Sequence, residues 1–448
     1  MKLFSLCIGY MISVLLCCSC STAKAGATAA PAAVASLFPG QREAKLPTKA
    51  PPQAALPEFS QEQSDNYRRA LLLLQTMEML RNNYVDGKKV TYEELFNHAM
   101  QGMVSALDPY SAYELPKEHL SRQIKRKGEL VGIGAAVVKP VGKPVILIRI
   151  LPGTPAEAAG LKAGDQIIAI DGKNVLPLNL AGALDKLRGE AGSKVKLQIR
   201  RGKQEFPLTI TRKIVRTNSV VPGSVKLIED KIGYIKLKEF AANSGNEVAS
   251  ALKKLRSLGA KAIILDLRFN PGGLVQAAVE IASLFLPENS IIFKATSRKK
   301  NAVQQVKALK NKTFDTKIPL VILVNAFSAS ASEILTGALQ DHKRAKVLGS
   351  RTFGKGTILS VVPVSGGGAV RFASAYYVTP GGRIIEKKGI MPDIEVRISS
   401  AEVLRLSSQT LRYPGVISPP FKGAFKDRQL AKAVEVLRNQ IKQKAPQK

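Results

Sequence analysis

Hydrophobic residues recur along the chain with two different spacings, and the change between them divides it into regions. The stretch "NYRRALLLLQTMEMLRNNYV" within residues 60–84 carries apolar residues at helical spacing, and a second helical pattern covers residues 92–107. Pro109 cannot continue that second helix, because it has no N–H and its ring blocks the preceding turn. The pattern predicts a helical N-terminal region over residues 58–125.

Short apolar runs separated by glycine turns follow over residues 128–214. The runs "PVILIRIL" and "KVKLQIRR" are typical of strands, and residues 181–187 form one amphipathic helical pattern between them. We therefore expect a compact β-rich domain here.

From residue 218 onward, strand and helix patterns alternate. The strand-like runs "KIGYIKL", "KAIILDL" and "IPLVILVN" are each followed by a helical pattern, at residues 244–258, 274–285 and 331–341. Alternation at these lengths predicts a sheet covered by helices over residues 218–400, with sites at the carboxyl ends of strands. Residues 401–448 predict a helical tail that packs on the core. The fold class is thus α+β, mixed and multi-domain.

The N-terminus reads as an export signal. Lys2 precedes an apolar stretch, residues 8–16, and the small-x-small pattern Ala23-Lys24-Ala25, and the stretch is too short to span a membrane. We predict a signal peptide over residues 1–25 and an Ala/Pro-rich tether over residues 26–57. The protein is then exported to the periplasm or cell envelope, and a lipid anchor on Cys20 remains an open alternative.

Composition and charge restrict the function classes. A hydrophobic content of 45% and a charged content of 23% are typical of a globular protein. The net charge of +33 predicts attraction to anionic surfaces, but the basic residues are scattered and Trp is absent, so we expect no nucleic-acid binding. All four cysteines lie within the predicted signal peptide, so packing alone would stabilise the mature chain.

Three serines spaced by single alanines stand in "VNAFSASASEILTGALQDHKRA", residues 324–345. Ser330 and Glu333 form an S-x-x-E capping box, which by itself has only a structural meaning. A nucleophile needs a base, and none of the three histidines has a compelling triad setting. No H-E-x-x-H motif occurs, and we predict neither a metal site nor a cofactor.

A lysine is the remaining candidate base. "GSRTFGKGT", residues 349–357, places Lys355 between two glycines, and a lysine acts as a base only when burial or a nearby cation keeps it neutral. The same residues begin like a phosphate-binding loop. That alternative fails because Gly356 stands where a hydroxyl belongs, "TILSVVPV" reads as a strand, and the acidic strand precedes the loop. A third segment, "DLRFNPGGL" at residues 266–274, ends a strand in glycine amides that can bind an oxyanion.

With these segments in order, the chain resembles the carboxy-terminal processing, or tail-specific, proteases over roughly residues 60–442. "GMVSALDPYSAY" is similar to the family's opening helical segment, and "VGIGAAV" and "PGTPAEAAGLKAGDQIIAIDG" are similar to its inserted PDZ domain. The ordered core motifs are "DLRFNPGGL", "SASASEI", "ALQDHKRA", "TFGKGT", "YYVTPGGR" and "GIMPDIEV".

The resemblance assigns roles residue by residue. It implies Ser330 as nucleophile and Lys355 as general base, with Ser328 and Ser332 as supports. The oxyanion hole would use the Ala331 amide and one from Gly272 or Gly273, and the choice between the glycines stays open. One position departs: where the family carries a Gln that orients the lysine, this chain has Leu359.

The PDZ resemblance implies how substrates are chosen. A peptide C-terminus would add as a strand, and its carboxylate would bind the loop "LVGIG", formed by Leu130, Val131, Gly132, Ile133 and Gly134. The sequence therefore predicts an exported serine endopeptidase that cleaves proteins with apolar C-terminal tails. The alternative is an inactive relative that binds tails through its PDZ domain. The sequence does not identify an adaptor or activator and leaves its existence open, and membrane association would come from a lipid anchor or the basic charge.

Overall fold

The computed structural model describes residues 60–140, 142–298, 304–409 and 425–444. The predicted signal peptide, the tether and the candidate anchor Cys20 lie outside the described residues. The chain divides into two compact units, residues 1–73 and 74–448, and the described part of the first unit is helical from Gln61. Among the residues that the structure describes, no helix combines the length and the apolar character needed to span a bilayer.

The helices begin at recognisable signals. Thr91 caps the second helix, where its hydroxyl accepts the Glu94 N–H and the Glu94 carboxylate accepts the Thr91 N–H, and Pro116 opens the third. In the described residues the helices are α1 Gln61–Asn83, α2 Tyr92–Ser105, α3 Pro116–Arg126, α4 Pro155–Ala158, α5 Leu180–Leu187, α6 Ser244–Ser257, α7 Val275–Ser283, α8 Ala331–Asp341, α9 Ser400–Gln409 and α10 Arg428–Lys444.

The β-rich domain is an antiparallel sheet with strand order β3-β4-β5-β7-β8. Its strands are β3 Ala135–Val138, β4 Val145–Ile150, β5 Gln166–Ile170, with β6 Lys173–Asn174 paired to it, β7 Lys194–Arg201 and β8 Gln204–Thr211. In β7, Val195, Leu197 and Ile199 are buried whereas the alternating Lys194 and Lys196 are exposed, which is the period-two pattern of a half-buried strand. A separate antiparallel pair, β2 Glu129–Gly132 with β9 Lys213–Arg216, leads the chain into and out of this domain.

The α/β core contains a six-stranded sheet of order β10-β11-β12-β15-β16-β19, in which all pairings but β10–β11 are parallel. The strands are β10 Lys226–Ile228, β11 Ile232–Lys236, β12 Ala262–Asp266, β15 Leu320–Val324, β16 Lys346–Gly349 and β19 Ile394–Glu395. Every residue of β12 and β15 is buried, as expected for parallel strands that are covered on both faces. Helices α6, α7 and α8 contribute to the apolar core on one face, and α10 packs on the other.

A buried ion network joins α10 to the sheet. The Arg268 guanidinium lies 2.7 Å from the Asp266 carboxylate and 2.9 Å from that of Asp427, just before α10. Burial opposes ionisation, but Arg268 and Lys236 hold the pKa of Asp266 well below its usual range. In the described part of the tail, Ala433, Val434 and Leu437 of α10 lie in the apolar core on this face of the sheet.

A second sheet contains the strand expected at "TILSVVPV" together with shorter strands that the sequence patterns did not predict. It consists of β1 Ala112–Glu114, β13 Ile291–Ser297, β14 Gln304–Lys307, β17 Thr357–Pro363 and β18 Ala369–Val378. β17 pairs along one edge of β18, while β1 and β13 pair with the two ends of its other edge. The N-terminal region thus adds a strand to the core, next to the residues that follow Lys355.

Candidate active site

Ser330 lies where β15 gives way to α8, at the carboxyl edge of the parallel sheet. Its backbone is strained, with φ 56° and ψ −114°, a conformation that residues with a Cβ rarely adopt. The side chain is half-buried and makes no capping hydrogen bond to its helix. The hydroxyl is thus presented at the positive end of a helix dipole rather than used as a cap.

The two flanking serines tie the nucleophile loop to the loop after β12. The Ser328 hydroxyl donates to the Leu267 carbonyl at 2.9 Å, and the Ser332 hydroxyl donates to the Asn270 carbonyl at 3.0 Å. Both side chains are fully buried. Their placement agrees with the supporting role that the sequence predicted.

Glu333 connects the serine and the lysine segments. One carboxylate oxygen accepts the Ser330 N–H at 2.8 Å and the Lys355 N–H at 2.9 Å, and the other accepts the Gly354 N–H at 2.7 Å and the Thr352 hydroxyl at 2.6 Å. Burial raises the pKa of the Glu333 carboxyl, and these four hydrogen bonds oppose that rise. A residue that the sequence offered as half of a capping box therefore holds the two candidate catalytic segments together.

Tyr377 makes a second connection between the same segments. Its hydroxyl lies within hydrogen-bonding distance of the Ser330 carbonyl, at 3.1 Å, and of the Lys355 carbonyl. The side chain is almost fully buried. Ser330 and Lys355 are therefore fixed as neighbours through both their N–H and their carbonyl groups.

The Lys355 amine lies in an aromatic and cationic setting. Its Nζ is 4.2 Å from the centroid of the Tyr110 ring, and the side chain is half-buried. Burial and the nearby Arg371 lower the pKa of Lys355 below its ordinary value, against the opposing charges of Asp108 and Glu386. Within the described residues, the amine makes no hydrogen bond to the Ser330 hydroxyl, so this is a resting geometry.

The glycine turn after β12 lies against Ser330. A Cβ on Gly272, at φ 96°, would stand 2.8 Å from the Ser330 Cβ and 2.9 Å from the Ala331 nitrogen, so only glycine allows this approach. The Gly272 N–H donates to the Asn270 side chain at 2.9 Å. The N–H groups of Gly273 and Ala331, by contrast, have no acceptor in the described part of the chain.

Three phenylalanines surround this edge. The rings of Phe269 and Phe327 stack at 5.5 Å, and the Asn325 side-chain oxygen accepts the N–H groups of both residues. Phe327 and Phe353 are more than half exposed. Exposed aromatic rings next to a nucleophile form an apolar surface for a ligand side chain.

Other predicted residues occupy different places. Leu359 is half-buried in β17, opposite Ala373 of β18. Leu130 to Gly132 belong to the β2–β9 pair, and Ile133 and Gly134 form the bend before β3. The strand after Gly356, which excluded a phosphate-binding loop, is confirmed as β17.

Sequence patterns missed the groups that surround the lysine. Tyr110, Glu114 and Arg371 lie outside the serine, lysine and glycine motifs, and Glu333 was assigned only a capping role. The motif "LDPYS" was recognised only by resemblance. Its Asp108 accepts the N–H groups of Tyr110 and Ser111, which fixes the turn beneath the amine.

The structure brings a serine segment and a lysine segment together at the carboxyl edge of a parallel sheet, with a β-rich domain inserted before it, which is the arrangement expected of a hydrolase. Family comparisons give the same class. Residues 231–396 match the model of peptidase family S41, and residues 148–201 match a PDZ domain.

Relatives cover most of the chain. A carboxyl-terminal-processing protease of Synechocystis sp. is 40% identical over 72% of this chain and 77% of its own length. One from Bartonella bacilliformis is 36% identical over 75% and 76%. The solved photosystem II D1 C-terminal processing protease is 31% identical, with a TM-score of 0.44 over 73% of this chain and 92% of that one. The chain belongs to peptidase family S41, among the carboxyl-terminal processing proteases, and the predicted fold class and resemblance are confirmed.

Proposed function

We propose that the protein is an exported serine endopeptidase that cleaves near the C-termini of proteins through a Ser330–Lys355 dyad. The observation that carries this proposal is the shared carboxylate oxygen of Glu333, which accepts both backbone N–H groups of the dyad. Two separate segments of the chain are thereby brought together, beside two amides that have no acceptor among the described residues.

The chemistry follows from the two side chains. The Ser330 Oγ attacks the scissile carbonyl carbon while its proton passes to the Lys355 amine. The resulting ammonium returns that proton to the leaving amine as the peptide C–N bond breaks, which leaves an acyl-enzyme. Lys355 then deprotonates water, which attacks the ester and releases the serine.

A lysine can perform these steps only while it is neutral. Because burial and Arg371 lower the pKa of Lys355, more of the amine is deprotonated at a given pH than for an exposed lysine. The rate should thus rise with pH through this lowered pKa, at a lower pH than an exposed lysine would give. The Lys355 amine would complete the dyad by moving from the Tyr110 ring to the Ser330 hydroxyl.

The unpaired amides support an oxyanion hole. The Gly272 N–H already has an acceptor, whereas those of Gly273 and Ala331 have none in the part of the chain that the structure describes. We therefore assign the oxyanion to Gly273 and Ala331, and we give Gly272 the role of allowing the close approach. Each such donor typically contributes about 10²- to 10³-fold to kcat.

The PDZ domain offers a place for the substrate tail. β3 lies at the edge of its sheet, with β4 as its partner in the described residues, so a peptide can add to the other side. The N–H groups of Ile133 and Gly134 have no acceptor in the described chain, and Thr154 fixes this bend by donating to the Gly134 carbonyl. These amides would bind the terminal carboxylate.

The decisive experiment is phosphonylation of Ser330 by a serine-directed fluorophosphonate, in which the serine oxygen displaces fluoride from phosphorus, together with cleavage of a tailed substrate. Wild type should be labelled and active, and Ser330→Ala and Lys355→Ala should each lose activity without additive effects, because the dyad acts as a unit. Labelling of Ser330→Ala at the wild-type rate would refute the assignment. A wild-type protein that binds tails but neither labels nor cleaves would instead favour the inactive relative, which the apolar Leu359 makes a specific alternative.

Tail recognition has its own test. Two substrates that differ only in an apolar or charged C-terminus, each with a free or amidated carboxylate, should be cleaved at different rates. The apolar, free tail should be the fastest. Equal rates for all four would remove tail recognition from the proposal and leave the dyad untouched.

Export is proposed from the N-terminal residues alone. Fractionation should find the chain in the periplasm or envelope, and Cys20→Ala should leave this location unchanged if residues 1–25 are cleaved. Release of Cys20→Ala from the membrane fraction would favour the lipid anchor instead. Cytoplasmic protein would contradict the export proposal.

A further inference from the structure

The segment before β1 forms the floor beneath the lysine amine. β1 pairs with β18 so that Ala112 lies opposite Arg371, and this pairing brings the preceding turn to the active site. Asp108 accepts the N–H groups of Tyr110 at 2.7 Å and Ser111 at 2.8 Å. The Tyr110 backbone is therefore fixed before its ring meets the amine.

The Tyr110 ring faces the amine at 4.2 Å from its centroid to Nζ. Burial and the nearby carboxylates of Glu386, Glu333 and Asp108 raise the pKa of the Tyr110 phenol, so the ring stays neutral where the enzyme would work. A neutral ring face attracts an ammonium and shields one side of it from water. The ring thus restricts where the flexible lysine side chain can lie.

Arg371 is the cation beside the amine, and it is held in place on two sides. Its Nε donates to the Glu114 carboxylate at 2.8 Å, and its guanidinium also donates to the Tyr110 carbonyl. Glu114 is buried and also pairs with Arg122 at 2.6 Å and with His119 at 3.2 Å. Arg371 therefore cannot turn away, and its charge remains next to Lys355.

The charges that act on Lys355 come from every element around it. Arg371 on β18 and Arg122 on α3 disfavour the ammonium, whereas Asp108 before β1 and Glu386 after β18 favour it. Burial, the largest influence, also disfavours the ammonium, so the pKa of Lys355 is lowered. The ring and the arginine thus divide the task, since the ring fixes the position of the amine and the arginine disfavours its charge.

We propose that Tyr110, Arg371 and Glu114, the amine platform, position Lys355 and replace the orienting side chain that Leu359 cannot provide. Tyr110 contacts the Lys355 amine directly. Arg371 and Glu114 are positioning residues, because Arg371 holds the Tyr110 carbonyl and Glu114 holds Arg371. This inference rests on the proposed role of Lys355 as general base.

The first test removes the charge. Arg371→Gln and Arg371→Lys are compared with Arg397→Gln, which removes an exposed arginine that pairs with exposed Glu395. Two rates are followed from pH 6 to 10. They are the rate at which the fluorophosphonate phosphonylates Ser330 and kcat/KM for cleavage of a tailed substrate. We expect the ascending limb to move to higher pH in Arg371→Gln, to return toward wild type in Arg371→Lys and to stay in place in Arg397→Gln.

The second test removes the ring and remains available if Arg371→Gln does not fold. Tyr110→Leu should lower kcat about 10- to 100-fold with a smaller change in KM, because a misplaced base costs rate rather than binding. Tyr110→Phe keeps the ring and should recover most of that loss. A Phe variant as slow as the Leu variant would show that the ring face is not what positions the amine.

Lys355→Ala separates this inference from the proposed function. If Lys355→Ala abolishes fluorophosphonate labelling of Ser330 while Arg371→Gln keeps the wild-type pH profile, the platform is wrong and the dyad stands. If Lys355→Ala is labelled at the wild-type rate, the dyad itself is wrong, and the platform fails with it.

Discussion

Glu333 offers the sharpest quantitative prediction, because all four of its hydrogen bonds are defined. Replacement by alanine leaves the N–H groups of Ser330, Lys355 and Gly354 and the Thr352 hydroxyl without their acceptor. Each unsatisfied buried group costs about 1–3 kcal/mol, so the total is of the order of the whole stability of a domain. We expect Glu333→Ala to lose the local structure of the site.

Glu333→Gln should be much milder. Its oxygen can still accept from Ser330 and Lys355, and its amide can donate to the Thr352 hydroxyl, which is able to reverse its role. The Gly354 N–H then loses its acceptor, at a cost of about 1–3 kcal/mol, and the proton of the Thr352 hydroxyl must turn to another acceptor. The two substitutions therefore differ in the number of hydrogen-bond donors that they leave without an acceptor, although both remove the charge of the carboxylate.

The assay is amide hydrogen exchange, followed by mass spectrometry, in peptides that contain residues 327–334 and 350–357. Both segments should exchange faster together, strongly in the alanine variant and modestly in the glutamine variant. Glu157→Gln is the matched control, because Glu157 is exposed and accepts one backbone N–H, from Gly153 at 2.7 Å. Wild-type exchange in both Glu333 variants, or faster exchange in only one segment, would refute the idea that this carboxylate holds the two segments together.

Three further predictions follow from the same geometry. Leu359→Gln should raise kcat by up to about 10-fold, or about 1.4 kcal/mol in the barrier, and a fall would mean that Leu359 belongs to a repacked site. Phe327→Ala should lower kcat/KM for apolar-tailed substrates about 2- to 10-fold, because it removes the ring that stacks on Phe269. For substrates that lack large apolar residues near the cleavage site, kcat/KM should not change. Asp427→Asn should lower the free energy of unfolding in urea by about 1–3 kcal/mol and expose α10 to exchange, since Arg268 loses a charged partner, and unchanged protection of α10 would contradict this.

The sequence predicted the long elements well and the short ones poorly. The helix expected at residues 331–341 is present as Ala331–Asp341, because a full apolar face and a capping signal mark it. β1, by contrast, has only three residues, and β14 is mostly exposed, so neither carries a period that a pattern could reveal. Such strands depend on their pairing partners, which sequence spacing does not specify.

The residues of the site show the same difference between local motifs, which the sequence reveals, and long-range partners, which it does not. Ser330, Lys355 and the glycines stand in local motifs, so their neighbourhood could be expected once the motifs were seen in order. Arg371 acts on the lysine only because β1 and β18 pair, and that pairing joins residues from opposite ends of the described chain. Long-range partners of a base are therefore beyond local reasoning, even where the base itself is recognised.

Glu333 shows how one residue can satisfy a local and a distant requirement at once. Its contact with the Ser330 N–H is what an ordinary capping box would predict, and it would exist in any helix that begins with this motif. The same oxygen also accepts the Lys355 N–H, so the start of the helix and the lysine segment share one acceptor. Formation of the strained serine and placement of the base are therefore coupled through one buried carboxylate. A variant that disturbs the lysine segment should loosen the serine as well, even where no side chain contact between the two is lost.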